Sequence, residues 1–116
     1  MRGERRCYNL SIGVAAVAEN NIDELFAHVV GFEWDESKRR ANLQKHGIDF
    51  ASATDVFADP KQFTYRSARH FAEQRYVSVG RMRELLIAVV STPRNGKLRI
   101  ISARIARRSE RDRYDK

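Results

Sequence analysis

The stretch "FEWDESKRRANLQKHGIDFASA", Phe32 to Ala53, gathers Lys38, Arg39, Arg40, Lys45 and His46 on one short length of chain. If it is helical, Lys38, Asn42, Lys45 and His46 share a face, a surface suited to following a phosphate backbone. His46 is of the type that titrates near neutrality and can move a proton, but at a helix end it can equally satisfy late carbonyls. A second set of cations lies downstream. In "QRYVSVGR", strand alternation puts Arg75, Val77, Val79 and Arg81 on one face, with the two arginines roughly 20 Å apart. They cannot clamp one phosphate together, but they can bracket several nucleotides. In "LRIISARIA", alternation puts Leu98, Ile100, Ser102 and Arg104 on one face, so Arg104 ends a face that begins apolar. A guanidinium there needs a carboxylate, the rim or a ligand phosphate; Glu73, Glu84 and Asp112 are the candidate carboxylates.

The charge distribution points the same way. Residues 1–60 hold seven Lys/Arg against ten Asp/Glu, whereas residues 61–116 hold fifteen against five, twelve of the fifteen being Arg. The whole formal excess of +7 therefore belongs to the second half. Arginine's planar fork matches phosphate oxygens, so the bias favours phosphate recognition over solubility. The usual enzyme templates are missing: there is no Gly-rich phosphate loop, G-x-S-x-G, HExxH or metal-spaced aspartate pair. Three dispersed histidines and the single Cys7 supply no zinc ligand set. We therefore expect no metal and no cofactor.

The elements that must position these residues follow from patterning. "NNIDELFAHVVG" reads as a short helix, and residues 7–18 as a strand or helix. Asp35 caps the next helix, Glu36 sits at its positive end, and Lys45 and His46 precede the terminating Gly47. Asp49 caps another helix through Ala58, with Phe50, Ala53, Val56 and Phe57 on one stripe. The period then changes to alternation: "KQFTYRS", "QRYVSVGR", "LLIAVVST" and "GKLRIISARIA" read as four strands in an antiparallel meander. Asn95-Gly96 supplies a tight hairpin. "LLIAVVST", apolar on both faces, is the central and doubly covered strand. A short helix begins near Ser109 with Glu110 at its N-terminus. His70 lies in a loop three residues before Glu73, and Tyr114 can stack on a base or pack on the sheet.

A chain of 116 residues suits one modest core. The opening residues imitate a secretory signal, but Glu4 in the basic part and Asn9, Ser11 and Gly13 in the apolar part argue against one. No apolar run reaches the roughly 18 residues of a membrane span. We read residues 1–31 as an N-terminal extension, 32–116 as the domain, and the protein as cytoplasmic.

From Phe32 onward the chain resembles the BrnT toxins of bacterial type II toxin-antitoxin systems, which are similar in fold to the RelE ribonucleases. The resemblance is carried, in order, by "FEWDESK", "NLQKHGIDF", "VFADP", His70, Glu73 and Arg75 ahead of "YVSVGR", then "LLIAVV", "RIISAR" and "RRSERDRY". Each motif is weak alone; their order makes them specific. The resemblance implies an α+β, RelE-like fold: two N-terminal helices, a four-stranded antiparallel sheet and a short C-terminal helix. It implies a metal-independent endoribonuclease that inhibits translation, and a BrnA-like ribbon-helix-helix antitoxin that forms a heterotetramer with it and binds promoter DNA. Carried over by position, His46, Arg75, Arg81 and Arg104 are catalytic candidates, and Lys38, Lys45, Arg107 and Arg108 are RNA contacts. In metal-free cleavage a ribose 2′-OH attacks the adjacent phosphate, fixed arginines stabilise the added charge and a base such as His46 takes the proton. On this reading the helix from Phe32 to Ala53 walls an RNA groove opposite the strand arginines, and Arg104→Ala stays folded. A chain lacking residues 1–31 folds as well as the whole. The alternatives are a non-catalytic RNA- or antitoxin-binding protein of the same fold, and an interaction module whose basic face serves only an acidic antitoxin.

Overall fold

A computed structural model describes residues 22, 26, 27, 29–69 and 72–116. The reading of residues 7–18, most of that of 21–31, and His70 lie outside the described residues. The elements run β1 (Phe32–Trp34), α1 (Glu36–His46), α2 (Phe50–Ala53), a 3-10 helix (Thr54–Ala58), β2 (Phe63–Arg66), β3 (Tyr76–Met82), β4 (Leu85–Arg94), β5 (Lys97–Ile105) and α3 (Arg108–Tyr114).

Local chemistry sets the helix ends. The Asp35 carboxylate accepts the Ser37 and Lys38 amides at 2.9 and 3.2 Å, satisfying donors that a first helical turn leaves open. Gly47 stops α1 in the left-handed region at φ 73°, a conformation cheap only for glycine. Asp49 caps α2 by accepting the Ala51 amide. The expected single helix to Ala58 instead tightens at Thr54 into a 3-10 helix, and Gly80 shows why that segment lies so close to the sheet. A Cβ at Gly80 would stand 3.0 Å from Val56 Cγ1 and 3.2 Å from the Val56 carbonyl oxygen.

The sheet has five strands in the order β1-β5-β4-β3-β2, and it is mixed, which corrects the expected four-stranded antiparallel sheet. β2 to β5 form the expected meander, with Asn95 and Gly96 both at positive φ in the last hairpin. The added strand is β1, which pairs in parallel with Leu98–Ile100. Three residues are too few for alternation to register in sequence, and β1 gains its ladder only from β5. Trp34 then meets Phe50 edge-on at 6.1 Å.

Helices cover both sides of the sheet. One face, under α1, α2 and the 3-10 helix, packs Ile48, Phe50, Val56, Ile87, Val89 and Ile100. The other, under α3, packs Val77, Val79, Leu86, Ala88, Ala106 and Tyr114. β4 is central and contributes to both, as its doubly apolar sequence requires. β5 carries a bulge: Ser91 pairs with Ile100 while Val90 pairs with Ser102, which leaves Ile101 as the extra residue. Leu98, Ile100 and Ala103 therefore share the α1 side, and Arg104, opposite Ala88, leaves by the α3 side. The expected grouping of Leu98, Ile100, Ser102 and Arg104 on one face is overturned because a bulge reverses the parity of every residue after it.

The packed unit reaches back before residue 32. The Val30 amide donates to the Gly96 carbonyl, the Leu98 amide donates to that of Gly31, and Phe26 meets Tyr76 edge-on at 5.5 Å. Starting the chain at residue 32 should lower its urea midpoint at neutral pH, and Phe26→Ala alone should cost about 1–2 kcal/mol from its ring contacts. Unfolding of the shortened chain at the full-length midpoint would show that these contacts contribute nothing.

Candidate nucleic-acid interface

The anticipated helix face is interrupted at its centre. The Asn42 amide nitrogen donates to the carbonyls of Ile48 and Ala103 at 3.0 and 2.9 Å, and its oxygen accepts the Ala103 amide at 3.1 Å. Asn42 is therefore the buried joint between α1 and β5, while Lys38, Lys45 and His46 stay exposed around it. Arg39 is spent on Glu36 and Asp49, and Arg40 lies 3.9 Å from Glu36. Lys38 and Lys45 make no ion pair with a described residue.

Arg104 has a partner that none of the candidate carboxylates anticipated. Its two terminal nitrogens donate to the two oxygens of Glu110, at 2.8 and 2.9 Å. The same carboxylate accepts the Arg107 amide at 2.7 Å and the Tyr65 hydroxyl. Glu110 is only 4 % exposed. Burial pushes its pKa up, but Arg104, the Tyr65 hydroxyl and the Arg107 amide outweigh that and hold it down at about 2. Burial and the hydrogen bond to this carboxylate push the Tyr65 phenol up. The expected pairing of Arg104 with Glu73, Glu84 or Asp112 is thus replaced by Glu110, which the bulge and the α3 cap bring to it. Glu73 instead faces Arg75 and Arg94, at 3.9 and 3.6 Å.

A second network holds the other end of α3. The Tyr114 hydroxyl donates to Asp59 Oδ2 at 2.6 Å, the Arg81 amide donates to the same oxygen at 2.8 Å, and the Lys61 amide donates to Oδ1 at 2.9 Å. Burial opposes ionisation of Asp59, but these donors prevail and hold it below the usual carboxylate range; the bond to Asp59 in turn raises the Tyr114 phenol. The Arg81 guanidinium lies over the Tyr114 ring, 5.8 Å from its centroid, and donates to the Glu84 carbonyl at 3.3 Å.

The sheet thus divides the anticipated set. Arg81 and Arg104 reach α3 side chains on one face, and exposed Arg107 and Arg108 stand at the start of that helix. Lys38, Lys45 and His46 belong to α1 on the other face, so the helix does not wall a groove opposite the strand arginines. The two sets meet only at one end of β5, where Asn42, one turn before His46, bonds the residue preceding Arg104. The sequence reading placed Asn42 on a solvated phosphate-following face and Glu110 at a helix start, missing the role of each, and left Tyr65 unmarked. Only Glu110 carried a signal, as an acidic residue three positions after the cap. Among the described residues no group of three or more His, Cys, Asp or Glu can hold a metal ion, and no helix is long and apolar enough to cross a membrane.

Residues 34–110 match the family model described as "Ribonuclease toxin, BrnT, of type II toxin-antitoxin system". No curated protein matches the chain.

The Arg104–Glu110 pair changes what a substitution at Arg104 reports. Arg104→Ala strands a buried carboxylate and should cost on the order of 3 kcal/mol in urea unfolding at pH 7, while joint replacement by Met and Leu should recover only part of it, because the Tyr65 hydroxyl and the Arg107 amide lose their acceptor. Glu110 has its pKa lowered in the folded state, so its stabilisation is complete above the ordinary value of 4.5 and fades as pH falls toward about 2. Glu110→Gln should flatten that acid limb. Wild-type stability for Arg104→Ala would mean that the pair contributes nothing.

Proposed function

Because the chain belongs to the BrnT family of ribonuclease toxins of type II toxin-antitoxin systems, we propose that it is a metal-independent endoribonuclease that acts in the cytoplasm and inhibits translation. On this reading a BrnA-like ribbon-helix-helix antitoxin neutralises it, in a heterotetramer that binds promoter DNA through the antitoxin. The match over residues 34–110 carries the reaction class; the side chains supply a way to perform it. The RNA strand crosses the end of β5 that joins the two faces. Lys38 and Lys45 contact its backbone on the α1 side, and Arg107 and Arg108 do so on the α3 side.

The attacking group is the ribose 2′-OH, which forms a bond to the adjacent phosphorus as the bond to the 5′ oxygen breaks, and that oxygen leaves with a proton from water. His46 takes the 2′ proton, a step worth about a hundredfold or more for a well-placed base. Arg81 and Arg104 face the charge that accumulates on the phosphoryl oxygens, each worth on the order of 3 kcal/mol when the donor is fixed, while Arg75, beyond the far end of β3, meets a more distant phosphate of the same strand. Arg104 is fixed by Glu110, and Arg81 by its place over Tyr114. One observation favours a second reading, RNA or antitoxin binding without cleavage: both terminal nitrogens of Arg104 are already occupied by Glu110.

Arg81→Ala separates the two readings better than any change at Arg104. It removes an exposed guanidinium and keeps the backbone amide that holds Asp59. Purified protein incubated in EDTA with end-labelled RNA should cleave it, and Arg81→Ala should cleave it on the order of a hundredfold more slowly with unchanged unfolding. His46→Ala should slow cleavage by about a hundredfold or more. RNA left intact by the wild type, yet bound with steep salt dependence, would establish the non-catalytic reading instead.

A further inference from the structure

Among the described residues, Arg39, Arg40, Arg75, Arg94, Arg99 and Arg104 all lie within ion-pair distance of a carboxylate. Three cations at the border of β2 and α3 are placed differently. Lys61 Nζ stands 4.7 Å from the Tyr114 ring centroid and Arg81 Cζ stands 5.8 Å from it, so their charges lie within about 10.5 Å of each other. Arg113 Cζ lies 4.2 Å from the centroid of Phe63, the second residue after Lys61. All three side chains are exposed, and none makes an ion pair with a described carboxylate.

The carboxylate within the cluster, Asp59, feels the charge of Arg81 but is within ion-pair distance of none of the three. Asp59 gives one oxygen to the Lys61 amide and the other to the Arg81 amide and the Tyr114 hydroxyl. It spends its acceptors on the backbone and the phenol, so it offsets part of the cluster's charge without bonding the ammonium or either guanidinium directly. Tyr114 is buried and pinned by Asp59, and Phe63 is fixed beside Tyr65 at 6.3 Å. Fixed rings under exposed cations hold them in place, and only one of the Arg81 donors is taken within the fold, by the Glu84 carbonyl. Packing of cations on rings would by itself serve the fold, but it does not call for three of them around a single carboxylate whose oxygens are already taken.

We infer that Lys61, Arg81 and Arg113 form a backbone track for single-stranded RNA, contacting phosphates of the strand on the α3 side. The inference rests on the ribonuclease reading and adds Lys61 and Arg113 as positioning residues that bind RNA without touching the reacting atoms. Phosphate contacts of this kind fix register and carry no base preference. Their signature is therefore electrostatic, a binding constant that falls with salt.

The full chain is titrated with a 2′-O-methyl oligoribonucleotide, which lacks the attacking hydroxyl and cannot be cleaved. Each of Lys61→Ala and Arg113→Ala should weaken binding about three- to fivefold near 0.15 M salt and reduce the slope of log K against log salt by about 0.7, similarly for oligonucleotides of different sequence. Lys61→Arg should restore both. Lys97→Ala, an exposed cation in the β4–β5 hairpin, should change neither. Wild-type slopes in Lys61→Ala and Arg113→Ala, in a protein that still cleaves natural RNA, would overturn the track and leave the ribonuclease reading standing. If those variants lose affinity only for an acidic protein partner, the surface belongs to that partner and the track is wrong. A wild-type chain that neither cleaves RNA nor binds the oligonucleotide removes the functional reading itself.

Discussion

One extra residue in β5 decides which side of the sheet receives Arg104. Without the bulge at Ile101 the alternation from Ile100 would carry Arg104 into the apolar layer under α1 and α2. With it, Arg104 turns toward α3 and finds both oxygens of Glu110. The bulge also sets Ala103 opposite Val89, on the face where Asn42 binds its amide and carbonyl. The attachment of α1 on one face and of α3 on the other therefore depends on the same inserted residue.

The charge of the chain divides along these attachments. A formal +7 describes the molecule as a whole, but arginines paired with Glu33, Glu36, Glu73 or Glu110 contribute little field beyond their partners. What an anionic ligand meets is the remainder, which includes the lysines of α1, the arginines at the start of α3 and the cations seated on Tyr114 and Phe63. Sorting cations by counter-ion is more informative than counting them. It places the open charge on both faces, with the end of β5 between them.

Sequence alone shows those parts of the fold in which each residue's local preference agrees with its final place. Asp35 and Gly47 mark both ends of α1, Asn95-Gly96 marks the last hairpin, and the doubly apolar run from Leu85 marks the central strand, because each signal lies within a few residues of the feature it sets. β1 is invisible because its three residues gain their strand geometry from β5. The bulge is invisible because Ile101 is as apolar as the residues around it, so nothing in the pattern announces a change of parity. For the candidate site, Arg104 stood out as a charge ending an apolar face, whereas its partner required knowing both the bulge and the cap of α3. Asn42 looked like a member of a polar stripe, since nothing in sequence distinguishes a solvated amide from one bound to a distant strand.

α3 shows how folding and binding constrain each other here. Seven residues are too few for a helix to persist in water by itself, so α3 depends on its anchors, Glu110 near its start and Tyr114 in its last turn. Both anchors are polar, and both sit next to cations that remain exposed: Arg107 and Arg108 beside the first, Arg113 beside the second. An apolar anchor would hold the helix as well but would leave its rotation looser, and the directions of the flanking cations with it. Hydrogen bonds to one carboxylate at each end fix rotation as well as position. A cation held this way loses less freedom when a phosphate arrives, so more of its attraction appears as binding. The contacts that keep α3 folded are then also the contacts that aim its charge.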